Sequence, residues 1–248
     1  MDKVLLVTGG GRGIGAATAR LAAQAGWAVA VNYTANSLAA DEVVRAIRAE
    51  GGQAMSVRAD VADEAQVMAM FERIDAKFGR LTGLVNNAGV VDVSARIDQM
   101  DMARWRRMFD INVLGSFLCA REAVRRMSTR HGGEGGAIVN VSSAAARLGA
   151  PGQYVDYAAA KAAIDAFTIG LAKEVGGEGI RVNAVRPGLI ETDIHASGGL
   201  PNRVRDLQHQ VPMGRGGRAD EVAQAIVWLL SDAASYTTMA LLDVSGGR

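Results

Sequence analysis

The chain has 248 residues, of which 49% are apolar, and its 27 lysine and arginine residues are balanced by 26 acidic ones. At this length the apolar fraction is enough to bury a sizeable core, in one large α/β domain or two small ones. The balanced charge gives no overall attraction to nucleic acid or to an anionic membrane, so we expect neither as a partner.

Short apolar runs alternate with helical patterns from the start of the chain. The first run, 4–7, follows Met1, Asp2 and Lys3 and is too short for a signal peptide. Since no apolar stretch approaches membrane-spanning length, we expect a cytoplasmic protein. Continuous apolar character is typical of strands buried on both faces of a parallel sheet. The predicted strands are 4–7, 28–31, 54–57, 84–85, 137–141, 182–185 and 241–244.

Between these runs, apolar residues recur at helical spacing, as at Val43 and Ile47. Asp63 is a candidate N-cap of the third helix and Gly79 its candidate stop. The predicted helices are 14–25, 37–50, 64–78, 102–127, 154–175 and 220–230. This alternation predicts an α/β fold: a single domain over residues 1–248, with a doubly wound parallel sheet of about seven strands and helices on both faces.

The fourth predicted helix, 102–127, carries arginines and the single cysteine. Arg104, Arg106 and Arg107 are spaced like the solvated face of a helix. Cys119 has no second cysteine for a disulfide and no adjacent histidine to activate it, which favours a small core residue over a nucleophile. The three histidines are far apart and join no cysteine or carboxylate pattern, so we expect no metal site.

Residues 189–217 are rich in glycine and proline and lack a strong period. Long segments of this kind often close over binding sites, so this one is predicted to be a mobile substrate flap. His195 lies within it and could titrate with substrate, although a plain loop residue is the simpler interpretation.

A glycine-rich sequence, TGGGRGIG at 8–15, stands between the first strand and the first helix. A dinucleotide site needs a sharp turn, backbone N–H groups against a pyrophosphate, and close packing of helix on sheet. Gly9, Gly13 and Gly15 fit these three tasks. In this strand–turn–helix context the motif predicts dinucleotide binding.

Six short motifs occur in the order typical of the short-chain dehydrogenase/reductase family, and the chain resembles that family along its whole length. They are TGxxxGxG at 8–15, Asp60-Val61, NNAG at 86–89, Asn112, YxxxK at 157–161 and Pro187-Gly188. The resemblance implies a Rossmann fold and hydride transfer between a nicotinamide dinucleotide and a carbonyl or alcohol carbon.

The resemblance also implies which residues bind the cofactor. Asp60 and Val61 are expected at the adenine ring, and Thr192 at the carboxamide of the nicotinamide. The remaining expected contacts are Gly9, Gly11, Arg12, Gly13, Ile14, Gly15, Asn87, Ala88, Gly89, Tyr157, Lys161, Pro187, Gly188 and Ile190.

The cofactor preference depends on the end of the second strand. NAD-specific sites usually place an acidic side chain there, bonded to the ribose; this chain has Asn32, which does not repel a 2′-phosphate. Arg12 resembles the basic residue that NADPH-preferring family members use, although it could instead point into solvent. Asn36 and Ser37 begin the next helix and can add phosphate contacts. NADP(H) is therefore favoured over NAD(H).

Tyr157 and Lys161 are four residues apart and share one helix face. An unperturbed tyrosine has a pKa of about 10, and a nearby ammonium is expected to lower the pKa of Tyr157 toward neutrality. Tyr157 is the predicted general acid/base, and the resemblance adds that Lys161 holds the nicotinamide ribose. Tyr154, two turns from Lys161, is interpreted as packing or substrate wall.

Ser143 matches the family serine that binds the substrate oxygen, whereas Ser142 should point to the other face of its strand. The spacing from Ser143 to Tyr157 is one residue longer than a common family spacing, which predicts a small insertion at 147–153. Asn112 resembles the residue that holds a water linking Lys161 to solvent; a buried structural amide is the alternative. Met239 occupies a position where the family often has glycine.

The predicted function is an NADP(H)-dependent ketone or aldehyde reductase, or an alcohol dehydrogenase in reverse, acting on a small molecule. An NAD-dependent sugar or steroid dehydrogenase of the same family is one alternative. A cofactor-binding regulator without catalysis is another, which the fold alone permits. The resemblance further implies a homotetramer, packed through helices 102–127 and 154–175.

Overall fold

The computed structural model describes residues 3–248, apart from the side chain of His195. The expectation that the chain has no signal peptide rested partly on Met1 and Asp2, which lie outside the described residues. Seven parallel strands form one sheet in the order β3-β2-β1-β4-β5-β6-β7, and helices flank it. The predicted α/β fold class is confirmed. The strands are β1 (Val4–Val7), β2 (Ala28–Tyr33), β3 (Ala54–Arg58), β4 (Gly83–Asn86), β5 (Gly136–Val141), β6 (Ile180–Pro187) and β7 (Leu241–Val244).

The central strand β1 decides where a site can form. Val7, its last residue, lies beside Val31 of β2 and Val85 of β4. Because the chain winds toward β3 on one side of β1 and toward β7 on the other, the connections leave a crevice outside the carboxyl ends of β1 and β4. A ligand site is expected in that crevice.

Ten helices of the described chain connect the strands. The third begins at the cap Asp63, whose side chain accepts a hydrogen bond from the Gln66 N–H at 3.0 Å, and ends before Gly79 at φ +85°. Both boundaries were predicted. No described helix is long and apolar enough to cross a membrane. The helices are α1 (Gly13–Gln24), α2 (Ser37–Ala49), α3 (Glu64–Phe78), α4 (Met102–Phe109), α5 (Gly115–Met127), α6 (Ala145–Leu148), α7 (Val155–Val175), α8 (Ile194–Ser197), α9 (Arg203–Leu207) and α10 (Ala219–Leu230).

The single regular helix predicted over 102–127 is wrong. A π-helical turn over Asp110–Leu114 separates α4 from α5. Asn112 lies in this turn, and its side-chain amide donates to the Met108 carbonyl at 2.9 Å and to the Val90 carbonyl at 3.0 Å. Asparagine favours helices weakly because its side chain competes for backbone groups, and here it bonds a neighbouring loop as well as its own helix.

The sheet separates two apolar cores. One packs α3, α5 and α7 against one face, and the other packs α1, α2 and α10 against the opposite face. Cys119 is fully buried in the first core, and this burial raises the pKa of its thiol to about 12. The prediction of a core cysteine is confirmed, since a thiol with so high a pKa is a poor nucleophile.

Residues 189–217, which showed no period in the sequence, contain the two short helices α8 and α9. A parallel bridge between Ile190 and Gly217 closes the base of the segment, and Leu189 and Val211 are buried beneath it. His195 lies on α8, but its side chain is outside the described part of the chain. The segment therefore has more local structure than its composition predicted.

Met239 has φ +64°, in the left-handed region, and its N–H donates to the Val182 carbonyl at 2.7 Å. The structure thus explains why glycine suits this position. A side chain there costs about 1–2 kcal/mol, whereas glycine costs roughly 0.5–1 kcal/mol in unfolded-chain entropy.

We expect Met239→Gly to raise the free energy of unfolding slightly and Tm by about 1–3 °C in calorimetry. Met213→Gly, at another exposed methionine outside the left-handed region, should lower Tm; a fall in Tm for Met239→Gly would contradict the strain.

Candidate active site

A cleft of about 960 Å³ lies at the carboxyl ends of the central strands. The glycine-rich loop, the ends of β2, β4, β5 and β6, the start of α7 and residues 189–217 all border it. This volume is at the upper end of the range for small-molecule sites, so the cleft has room for a cofactor together with a substrate.

The glycine-rich loop makes the tight turn from β1 into α1. Gly9 has φ +60° and Gly13 has φ +52°, conformations that side chains rarely adopt. A Cβ at Gly15 would lie 2.5 Å from the Asn87 amide nitrogen and 2.6 Å from the Gly9 carbonyl oxygen. Gly15 therefore does not line the cleft; it lets α1 approach the sheet closely. The loop has the shape that a pyrophosphate requires.

Thr8 and Asn87 tie this loop to the end of β4. The Thr8 hydroxyl accepts hydrogen bonds from the N–H groups of Asn87 and Ala88, each at 2.9 Å. The Asn87 amide donates to the carbonyl oxygens of Thr8 and Gly9 at 2.9 and 3.0 Å. Asn87 borders the cleft as predicted, but its side-chain amide is bonded to the glycine-rich loop and holds that loop in place.

Asn32 borders the cleft at the end of β2, but its side-chain amide bonds other parts of the protein. The side chain is buried: its oxygen accepts from the Gly9 N–H at 3.1 Å, and its nitrogen donates to the Ala59 carbonyl at 3.0 Å. The strand ends two residues later than predicted, at the half-buried Tyr33, whose side chain also borders the cleft. The amide of Asn32 fixes the glycine loop from beneath.

Arg12 and Asn36 lie at one end of the cleft. Arg12 is the N-cap residue of α1, is exposed, and has no ion pair within residues 3–248. The Asn36 side-chain oxygen caps α2 by accepting from the Ala39 N–H at 3.1 Å, which leaves its NH₂ group available. Ser37 begins α2 but does not border the cleft. This end presents a cation and donors suited to a phosphate.

Asp60 and Val61 border the cleft beside the end of β3. The Asp60 carboxylate accepts from the Ala62 N–H at 3.0 Å, and Val61 is buried. A Cβ at Gly115 would lie 2.7 Å from Val61, so the first residue of α5 packs directly against this wall. The pair offers a flat apolar side and a fixed carboxylate, which suits a heteroaromatic ring.

Ser143, Tyr157 and Lys161 meet at the other side of the cleft. The Ser143 hydroxyl accepts from the Ala145 N–H at 3.1 Å. Ser142 also borders the cleft, but it is buried and its hydroxyl donates to the Lys161 carbonyl at 3.1 Å. The Lys161 ammonium donates to the Val141 carbonyl at 2.8 Å and lies 5.6 Å from the centre of the Tyr157 ring. The loop before α7 contains α6 and the left-handed Ala150, where the insertion was predicted.

The pKa values of this group differ from the sequence prediction. Burial raises the pKa of Tyr157 to about 12, opposed by a hydrogen bond with Ser143 and by the charge of Arg203. Burial lowers the pKa of Lys161 to about 8, opposed by the charge of Asp165. The expected lowering of the Tyr157 pKa by Lys161 is therefore wrong for the protein alone, because loss of solvation outweighs the nearby charge.

Asn112 is buried and does not border the cleft. Its side-chain oxygen accepts from the Val90 N–H at 3.2 Å, while its nitrogen donates to the Val90 carbonyl. A Cβ at Gly89 would lie 2.7 Å from this oxygen and 3.5 Å from the Lys161 ammonium. Asn112 therefore holds the 89–90 segment beside Lys161.

The end of β6 and the segment after it border the cleft through Pro187, Gly188, Ile190 and Thr192. A Cβ at Gly188 would lie 2.8 Å from Ser245, and a Cβ at Gly13 would lie 3.2 Å from the Thr192 methyl group. The segment that follows β6 thus rests directly on the glycine loop. Within residues 3–248 and without the His195 side chain, no group of three His, Cys, Asp or Glu residues is placed to hold a metal ion.

A family model described as Enoyl-(Acyl carrier protein) reductase, one of those of the short-chain dehydrogenase/reductases, matches residues 9–248. The chain belongs to the short-chain dehydrogenase/reductase family. Members of this family use nicotinamide cofactors, and the glycine loop and the cleft fit such a group.

Relatives of this short-chain dehydrogenase/reductase are oxidoreductases. The chain is 56% identical over 245 residues to the uncharacterized oxidoreductase YgfF of Escherichia coli (strain K12), covering 99% of each chain. It is 46% identical over 249 residues to a cis-4-hydroxycyclohexanecarboxylate dehydrogenase of Sinomonas cyclohexanicum, covering 99% of this chain and 96% of the relative. A Serratia marcescens short-chain dehydrogenase/reductase mutant has a TM-score of 0.91 at 33% identity, covering 99% of this chain and 97% of that chain.

The predicted solvated face of α4 is wrong for Arg104 in this short-chain dehydrogenase/reductase. Arg104 is largely buried and pairs with the buried Asp156 at 2.7 Å, next to Tyr157. It also donates to the Val93 carbonyl. Its spacing resembled a surface arginine because Asp156 lies 52 residues away, beyond the range of any helical pattern.

Sequence reasoning missed the far end of the cleft. Arg203 of α9, Arg248 and Gln153 border it there, together with the buried Tyr154, whose hydroxyl donates to the Gly198 carbonyl. Tyr154 was predicted as packing or substrate wall; it is buried, and it borders the cleft. No motif marked Arg203, since it lies in a segment without a period and reaches the site only through the fold.

Proposed function

We propose that this chain is an NADP(H)-dependent reductase of ketones or aldehydes, running in reverse as an alcohol dehydrogenase. The observation that carries the proposal is that Ser143, Tyr157 and Lys161 share one cleft with the glycine loop. When bound, the nicotinamide supplies or accepts the hydride. The protein must then supply the proton and hold the reacting groups.

Tyr157 is the proposed proton donor. Because its pKa is about 12, the phenol remains protonated at neutral pH and can give its proton to a carbonyl oxygen. The Ser143 oxygen accepts from a backbone N–H, so its hydroxyl hydrogen, which bonds Tyr157 in the protein alone, can turn to the same carbonyl oxygen when a substrate binds. Lys161 uses one hydrogen for Val141 and keeps two for ribose hydroxyls. Asn112 acts as a positioning residue for the 89–90 segment.

The glycine loop and Arg12 are the proposed phosphate site. Arg12 and the free NH₂ of Asn36 can bond a 2′-phosphate, and no acidic side chain follows β2 to repel it. Asp60 and Val61 are assigned to the adenine, and Thr192 to the nicotinamide carboxamide. The further proposed contacts are Gly9, Gly11, Gly13, Ile14, Ala88, Gly89, Pro187, Gly188 and Ile190, all of which border the cleft.

Arg12→Ala is expected to raise the KM for NADPH by about 10- to 100-fold, since it removes a charged hydrogen bond worth roughly 1.5–3 kcal/mol. The KM for NADH should change little. Steady-state kinetics with both cofactors measures this. Arg20→Ala, an exposed arginine on the same helix, is the matched control.

Tyr33→Asp complements this variant. It places a negative charge where β2 enters the cleft and should shift preference toward NADH. Equal losses with NADPH and NADH in Arg12→Ala would reject Arg12 as the discriminating residue. Such equal losses would not count against the proposed reduction of ketones or aldehydes.

Oxidation of NADPH with a panel of ketones and aldehydes tests the reaction. The named relative from Sinomonas cyclohexanicum acts on a secondary alcohol, which supports this class of substrate. Binding of NADPH without turnover of any carbonyl would instead favour a regulator.

We also propose that the chain is a single domain in which residues 189–217 act as a substrate flap, that it works in the cytoplasm, and that it forms a homotetramer. Exposed apolar side chains support the assembly: Phe109 on α4, Leu114 in the π-helical turn, Phe117 on α5 and Trp228 on α10. Burial of such surface between copies would stabilise the assembly.

A further inference from the structure

The far end of the cleft is positively charged. Arg107, Arg203 and Arg248 all border it. Arg107 is neutralised by Asp92, at 3.1 Å. Arg203 and Arg248 have no carboxylate side chain within ion-pair distance in the described part of the chain.

Arg203 and Arg248 are both half-buried, and Arg203 is the more informative because its contacts hold it beside the start of α7. Its guanidinium donates to the neutral Gln153 amide at 2.6 Å and lies 5.2 Å from the centre of the Tyr154 ring. These contacts orient the group and leave its charge uncompensated. A partly buried cation without a counter-ion is costly, and a bound anion would offset that cost.

Two other arginines with little exposed side chain, both bonded to α7, each pair with a carboxylate. Arg104 pairs with Asp156 at 2.7 Å, and Arg186 pairs with Asp165 at 2.8 Å. Each has a carboxylate within the fold. Arg203 differs in that it borders the cleft, where a ligand can supply the carboxylate.

Arg203 is also close to the reacting groups. Its charge lowers the pKa of Tyr157 and that of Arg248, so the three side chains share one electrostatic environment. Tyr154 and Gln153, which hold the guanidinium, directly precede the helix that carries Tyr157. An anion at Arg203 is therefore within the reach of a small substrate.

We infer that the substrate is a keto acid, whose carboxylate binds Arg203 beside Arg248 while its carbonyl oxygen meets Ser143 and Tyr157. The inference rests on the proposed reduction. In that reaction the carbonyl carbon gains the hydride, the oxygen gains the Tyr157 proton, and the carboxylate is unchanged. Because Arg203 lies on α9, binding of the acid would also fasten residues 189–217 to the start of α7.

The first test compares keto acids with their methyl esters in the wild-type protein. The probes are 3-oxobutanoate, 4-oxopentanoate, 5-oxohexanoate and 4-oxocyclohexanecarboxylate, which place the carboxylate at increasing distances from the carbonyl. For at least one pair, kcat/KM should favour the acid by about 10-fold or more, as for other charge-assisted contacts. Esters reduced as well as the acids in every pair would overturn the inference and leave the reductase intact.

A thioester of 4′-phosphopantetheine tests whether the anion that binds Arg203 is a phosphate rather than a carboxylate. Its charge is a phosphate remote from the carbonyl. Reduction of a 3-oxobutanoyl thioester with a higher kcat/KM than any keto acid would also overturn the carboxylate assignment. Failure to reduce acids, esters and thioester alike would count against the proposed function itself.

Arg203→Gln then tests the residue. The ratio of kcat/KM for acid to ester should fall by about 10- to 100-fold, mainly through KM. Arg203→Lys should recover part of the ratio because it restores the charge. Arg205→Ala, an exposed residue on the same helix that pairs with Asp206, is the control and should keep the wild-type ratio. An unchanged ratio in Arg203→Gln would refute the role of Arg203.

Discussion

Tyr157→Phe is expected to lower kcat for carbonyl reduction by about 10²–10⁴-fold, the range attributed to general acid catalysis. The substitution keeps the ring and its packing but removes the phenolic proton. Because burial holds the pKa of Tyr157 at about 12, this phenol is protonated throughout the physiological range and no ionised fraction competes with proton donation. Loss of absorbance by NADPH measures turnover, and fluorescence titration checks that NADPH still binds.

Two other tyrosines serve as controls. Tyr236→Phe alters a fully exposed hydroxyl and should leave kcat unchanged. Tyr154→Phe removes the hydrogen bond to the Gly198 carbonyl at 3.4 Å, so it should affect KM through the 189–217 segment and keep most of kcat. Turnover by Tyr157→Phe at the wild-type rate would refute the proton donor, whatever the two controls do.

The scaffold of this site could be predicted because its signals are local. Buried parallel strands need continuous apolar runs, the cap at Asp63 bonds a residue three positions away, and the glycine loop combines left-handed backbone with close packing. The sequence therefore predicted the sheet, most helix boundaries and the position of the cleft. Ser142 and Ser143 both follow β5, so their different bonds, to the Lys161 carbonyl and from the Ala145 N–H, were not fixed by strand alternation.

The features that sequence reasoning missed depend on contacts between distant residues. Asn32 directly follows the predicted strand 28–31, but β2 continues to Tyr33 and the Asn32 amide bonds Gly9 and Ala59. Arg104 becomes buried through Asp156, and Arg203 reaches the cleft only because residues 189–217 fold over it. The direction of the Tyr157 pKa shift also required burial, which helix spacing does not reveal.

Reduction by the wild-type protein is expected to slow as pH rises through about 8. Burial lowers the pKa of Lys161 to about 8, so the ammonium is present below that pH and is lost above it. Tyr157 stays protonated across this interval because its pKa is about 12, so the alkaline limb belongs to Lys161. The measurement is kcat/KM for NADPH on both sides of pH 8 at saturating carbonyl. With saturating NADPH the limb should move to higher pH, since the anionic cofactor stabilises the ammonium.

Lys161→Met should remove both the limb and most of the activity. The variant keeps an unbranched side chain in the buried position but loses the ammonium that bonds Val141 and the proposed ribose contact. We expect kcat/KM for NADPH to fall by about 10²–10³-fold, as when a buried electrostatic donor is removed from an active site. Lys173→Met, an exposed lysine on the same helix, should retain activity and the wild-type pH profile.

Adding Tyr157→Phe to Lys161→Met should lower kcat/KM little further than the worse single variant does, because the two residues act as a unit. A limb near pH 8 that persisted in Lys161→Met would assign the titration to another group and overturn this role for Lys161.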